Sequence, residues 1–172
     1  MHSPDNQHAS ILPYTDTKPV GAADFYTAIN ATFRFMEQRF GIEGLRRYWG
    51  DLGRSYYAPV SARWKANGLT GVAQYWQAFF AAEPGSEVQV RETADEVILE
   101  VAVCPAIKHL RHHQRVIVSS FCQHCYFVSR EIGEAAGMEV RVCGGNGQCT
   151  QRFARAGTFA NPQNLEDIRT AS

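Results

Sequence analysis

From Asp24 the chain places an apolar side chain on almost every helical turn, with Phe25, Ile29, Phe33, Met36 and Phe40 recurring at intervals of three and four. This spacing predicts an amphipathic helix that closes at Gly41, a residue suited to the position just past a helix end. Leu45, Trp49, Leu52 and Tyr56 then share one face of a second predicted helix, over about residues 43–57, which ends before Pro59. Val72, Tyr75, Trp76 and Phe79 mark a third, over residues 72–82, halted by Pro84-Gly85 and reached from the second through Arg63, Trp64 and the turn-prone Asn67-Gly68.

The period changes at Glu87. Val88 and Val90 alternate with polar residues, 93–96 is turn-like, and Val97, Leu99, Val101 and Val103 alternate again, which predicts a β-hairpin over 87–103. Residues 115–118 are expected as a short strand. A helix is expected to open at Ser119-Ser120, where Ser120 and Gln123 form a capping-box pattern, and to stop at Ala135-Ala136-Gly137. Two further strands, over 138–143 and 149–154, flank the turn Gly144-Gly145-Asn146-Gly147. Helices followed by strands give an α+β fold, with a helical N-terminal half packed on an antiparallel sheet that carries one further helix. The organisation expected is an arm over residues 1–20, one domain over 21–160 and a C-terminal tail over 161–172.

Composition narrows the partners. The 172 residues carry 17 Lys+Arg and 17 Asp+Glu, a neutral balance that argues against nucleic acid or an anionic membrane surface. MHSPDNQHAS lacks the basic start and apolar run of a secretory signal, and no apolar stretch approaches the roughly 20 residues of a membrane span, so a soluble cytoplasmic protein is expected. Fourteen of the twenty aromatic residues fall within 25–80, which suits a helical core and equally the wall of an apolar ligand cavity.

The reactive side chains lie elsewhere. All five cysteines and four of the six histidines fall within 104–149, and residues 9–103 contain neither. Cys122 and Cys125, three apart at a helix start, share one face near the positive end of the helix dipole, which favours thiolates. Cys143 and Cys149 flank the glycine turn, and the four together approach the knuckle spacing of a tetrahedral zinc site with a wide second knuckle. An odd number of cysteines makes free thiols, a metal site or a catalytic thiolate more natural than complete disulfide pairing. Histidines 109, 112 and 113 sit among Lys108, Arg111 and Arg115, a basic group able to grip a carboxylate while a histidine moves protons. Seven Lys/Arg against three Asp/Glu over 104–155 make this half locally positive.

These residues resemble the 2-aminothiazoline-4-carboxylate hydrolase family and, more distantly, the 4-vinyl-reductase-type small-molecule-binding domains. The resemblance spans about residues 25–155 and rests on Val103-Cys104-Pro105, Phe121-Cys122-Gln123-His124-Cys125 and the closing strand Gly147-Gln148-Cys149-Thr150-Gln151-Arg152-Phe153. It implies a hydrolase that opens a small cyclic amidine bearing a carboxylate. In the distant relatives cysteines at the helix start and closing turn bind zinc with a glutamate; Val140 stands at that position here, so Cys122 or His124 would supply the fourth ligand.

Two mechanisms follow. Cys125 adds to the ring carbon as a thiolate while His112, His113 or His124 moves protons, or a zinc ion held among Cys122, Cys125, Cys143 and Cys149 polarises water. Arg115, His109, Asn146 and Arg152 are the candidate substrate-binding residues, for an anionic small molecule. The alternative is a non-enzymatic binding or sensor domain for an apolar ligand with a structural zinc-cysteine site. A homodimer is compatible with either; nucleic acid and membrane are expected of neither.

Overall fold

The computed structural model describes residues 22–172, so the expected N-terminal arm, with His2 and His8, lies outside the described residues. The fold is α+β. Helices α1 (Phe25–Asp51) and α2 (Ala58–Ala82) come first, joined by a π-helical turn at Leu52–Tyr56. The hairpin β1 (Glu87–Glu92) and β2 (Glu96–Val103) follows, then helices α3 (Pro105–His112) and α4 (Gln123–Ala135). Strands β3 (Met138–Gly145), β4 (Gln148–Arg155) and β5 (Ile168–Arg169) complete a sheet of order β1-β2-β4-β3-β5.

Glycine sets the two long bends. Gly41 takes φ +69° inside α1, where the apolar period was expected to break, and the helix resumes at a new angle. Gly68 does the same inside α2 at φ +61°, so the Asn67-Gly68 signal appears as a bend within one long helix. Residues 58–67, expected as a connection, are helical because Pro59 occupies the first turn, where its missing N–H costs nothing.

Three expectations are corrected. Residues 115–118 form no strand: their backbone is taken up by Asn30 of α1, whose Nδ2 donates to the Val116 carbonyl at 2.8 Å and whose Oδ1 accepts from the Val118 N–H at 3.1 Å. Ser120 makes no capping box, since its hydroxyl donates to Glu37 at 3.1 Å and α4 begins at Gln123. The sheet is not wholly antiparallel, because β5 pairs in parallel with β3, and the segment expected as a tail is thereby built into the sheet. Its Ala171 is buried and donates its N–H to the Ser119 carbonyl at 2.9 Å.

That edge depends on Gly145. A Cβ there would stand 2.6 Å from the Arg169 carbonyl, and φ is +140°. Gly145→Ala is therefore expected to cost about 1–2 kcal/mol and to release β5. Amide exchange across 165–171 checks this, and protection equal to the parent's would contradict it.

The inward face of the sheet meets α2 and α4 around Trp64, Val72, Leu99, Ile132, Val140 and Phe153. A second cluster joins α1, α3 and α4 around Phe33, Leu45, Trp49, Leu110, Phe121 and Phe127. No helix among the described residues is long and apolar enough to cross a membrane.

Candidate ligand cavity

Between these two clusters lies a cavity of about 490 Å³. Tyr26, Ile29 and Phe33 of α1 form one wall, and Tyr75, Trp76, Phe79 and Phe80 of α2 another. The π-helical turn contributes Leu52 and Tyr56, with Tyr57 just after it. Its wider turn, closed by the Tyr57 N–H to the Leu52 carbonyl at 3.1 Å, lets Gly53 press on α4, where a Cβ would meet the Val128 carbonyl at 2.6 Å. The inward residues Val101, Val142, Cys149 and Gln151 form the floor. Among the lining aromatics Phe25, Tyr56 and Phe79 remain exposed, at 66%, 72% and 38%, and mark the opening. Tyr26 donates its hydroxyl to Glu83, tying the start of α1 to the residue following α2.

Four cysteines face this cavity: Cys104, Cys122, Cys125 and Cys149. Cys143 does not. Asn146-Gly147 is a two-residue turn with both φ values positive, so Gly145 pairs with Gln148, Gly144 with Cys149 and Cys143 with Thr150. Cys143 thus shares the outer face with Arg141 and Arg152 and is exposed, while Cys149 points inward. The turn sends the two side chains to opposite sides of the sheet.

The cysteine set does not fit zinc. About 2.3 Å per Zn–S bond puts tetrahedral sulfurs about 3.8 Å apart, yet no three of the described cysteines bring their sulfurs within 4.8 Å of one another. The Asn146 N–H occupies the Cys122 sulfur at 3.3 Å, and Cys149 accepts from Gln151 Nε2 at 3.9 Å.

Burial governs the chemistry of these thiols. It pushes Cys125, Cys122 and Cys104 up to about 11 against the smaller opposing effect of backbone N–H groups. Cys149 is raised further, first by burial and then by the neighbouring thiols. All four are protonated at neutral pH, so desolvation outweighs the helix-dipole effect expected at Cys122 and Cys125. His124 lies beside Cys125, with Nε2 3.8 Å from its sulfur. Burial lowers its pKa, and the Phe121 carbonyl 2.6 Å from Nδ1 assigns the proton to that nitrogen.

The basic residues lie elsewhere. Arg152 makes a two-pronged ion pair with Glu96 on the outer face and stacks on Phe159. Asn146 uses its side-chain oxygen to accept from Arg111 and from the Ser172 N–H. Arg115, His112 and His113 are exposed at the end of α3, and His109 packs near Tyr26. None of these six side chains lines the cavity, and neither does any other charged side chain among the described residues.

The sequence reading missed the polar member of the floor. Gln151 is 4% exposed, and its Oε1 has no hydrogen-bond partner. Period-two alternation from Cys149 would have found it, since the two share a strand face. Tyr57 and Tyr75 also line the cavity, with burial raising their hydroxyl pKa values, and the sequence marks them only as two aromatics in an aromatic-rich helical stretch. No protein-family model, no curated protein and no solved structure matches the chain.

Proposed function

We propose that the chain binds an uncharged, largely apolar small molecule in the cavity between its aromatic helices and its sheet. The observation that carries this reading is the lining: mostly aromatic and aliphatic side chains, four neutral thiols, a few polar groups from Thr32, His124, Ser129, Gln148 and Gln151, and no Asp, Glu, Lys or Arg around about 490 Å³, a volume within the roughly 300–1,000 Å³ of small-molecule sites. An anion entering it would lose its hydration without gaining a cation. The free Gln151 carboxamide oxygen offers one anchor, to a hydroxyl or N–H on the ligand.

A second reading, hydrolysis of a cyclic amidine carboxylate, draws on the Cys125–His124 pair in the wall, 3.8 Å apart. It requires Cys125 to give up its proton as substrate binds, and it leaves the carboxylate without a cationic partner. Both requirements favour the binding reading.

The test compares two dyes that share an aryl-amine body. N-phenyl-1-naphthylamine is neutral; 8-anilinonaphthalene-1-sulfonate carries a sulfonate. The neutral dye is expected to bind saturably, and the sulfonate at least about tenfold more weakly, a difference of about 1.4 kcal/mol. Gln151→Leu should weaken the neutral dye by about fivefold, the worth of roughly one hydrogen bond. Equal affinity for the two dyes would overturn the reading, and turnover of 2-aminothiazoline-4-carboxylate lost in Cys125→Ser would establish its rival.

A further inference from the structure

The end of α3 and the residue preceding α1 bring together a set of ligand atoms that the cavity does not use. His109 lies in the last turn of α3 and His113 immediately follows it, four residues on, so both imidazoles lie on one side with ring centroids 4.3 Å apart. Asp24 sits at the N-cap position of α1 but makes no side-chain cap. Its Oδ1 stands 3.9 Å from His109 Nε2. One ligand atom from each of the three residues lies within 4.8 Å of the other two. We propose that Asp24, His109 and His113 form a binding site for a divalent transition-metal ion, at the junction of α1 and α3 beside the cavity.

The donor set specifies the class of ion. Two imidazoles and one carboxylate suit zinc, cobalt or nickel, whereas magnesium and calcium demand a shell of oxygens that one aspartate does not supply. Bonds of about 2.0–2.2 Å draw ligand atoms to about 3.0–3.5 Å apart, so the present spacing needs only a modest closing movement. The side chains divide that work. His109 is only 11% exposed, set between the Tyr26 ring at 6.1 Å and the Thr27 hydroxyl at 3.4 Å. Asp24 is 97% exposed and free to swing onto the ion, and His113 is also exposed. Three ligands leave the remaining positions to water.

The ion would also act as a clamp. Asp24 precedes Phe25 and Tyr26, and His109 follows Pro105 and Ala106 by one helical turn, and all four of those neighbours line the cavity. Metal bridging Asp24 to α3 would therefore fix one edge of the cavity wall. The site itself stands independently of what the cavity binds.

Cobalt(II) titration of the full chain, followed by visible absorption, tests the proposal and separates it from binding at the cysteines. Saturable d–d bands are expected without the intense near-ultraviolet charge-transfer band of thiolate ligation. Loss of an outer-shell partner alone costs about 10–100-fold, so His113→Ala and Asp24→Asn, both at exposed positions, should each weaken cobalt by at least about tenfold. His112→Ala should leave affinity unchanged. A thiolate charge-transfer band, equal affinity in His113→Ala, or dependence on His112 in place of His113 would each overturn the assignment.

Discussion

Replacing Cys149 by phenylalanine is expected to abolish binding of the neutral dye while leaving the fold intact. Cys149 projects from the floor of the sheet into a cavity of about 490 Å³, so a phenyl ring enters existing space instead of displacing packed neighbours. Covering the floor should cost at least about a hundredfold in affinity, or about 2.8 kcal/mol, with the melting temperature held or raised because the ring buries apolar surface. Cys143→Phe is the matched control. It adds the same ring to the opposite face of the same hairpin and should leave affinity as it was. Undiminished dye binding in Cys149→Phe would place the ligand elsewhere and remove the main support for a cavity function.

Glu131→Ala should be the most damaging single change to stability among those proposed. Its carboxylate is 8% exposed on α4 and holds Arg54 of the π-helical turn at 2.6 Å as well as Arg130. Breaking a fully buried pair costs about 3–5 kcal/mol; Arg54 and Arg130 reach solvent here, so about 2–3 kcal/mol is expected. Burial pushes the Glu131 carboxyl up, the hydrogen bonds from Arg130 and Arg54 outweigh it, and the net pKa lies below the ordinary value. A carboxyl lowered in the folded state stabilises above its unfolded pKa of about 4.3 and loses that contribution as pH falls through the folded value. The parent should therefore lose stability on acidification below about pH 4, and the difference between parent and Glu131→Ala should shrink in the same range. Denaturant midpoints at neutral and acid pH measure both effects. Because Arg54 belongs to the turn that carries Leu52 and Tyr56 into the cavity, dye affinity should fall with stability.

Much of the fold is written in the spacing of apolar residues, and the parts that are not have physical reasons. The hairpin of β1 and β2 and the helix from Phe25 to Gly41 follow from period, although that period does not say how deep each position lies: Phe33 is buried while Phe25 and Phe40 on the same face are exposed, and Ile98 is buried on the other side of β2 from Leu99. The π-helical turn leaves almost no trace, since one extra residue in a helical turn does not alter which residues are apolar; only the close approach required at Gly53 betrays it. β5 is two residues long and offers no alternation to detect.

The site was legible in composition and misjudged in direction. Cys104, Cys122, Cys125 and Cys149 do gather, joined by His124, but Asn146-Gly147 is the two-residue turn typical of hairpins, and counting it so assigns Cys143 and Cys149 to opposite faces. The basic residues misled because a local excess of charge carries no information about which face bears it. Arg152 lies one position from Gln151 on β4 and on the other side of the sheet. Thiolate character misled for a related reason: the pull of a helix N-terminus is local and visible in sequence, whereas the burial that overrides it is created only when the fold sets Cys125 against a cavity walled by distant helices.

The alternation along β4 also restricts how this chain can change in length. Cys149, Gln151 and Phe153 face inward while Thr150 and Arg152 face out. Inserting or deleting one residue just ahead of Cys149 would exchange the two sets and turn a guanidinium toward the apolar floor, whereas a two-residue change would keep the sides as they are. Length variation at this hairpin is thus constrained by parity: an odd change either is absorbed within the turn itself or reverses the face that β4 shows to the cavity.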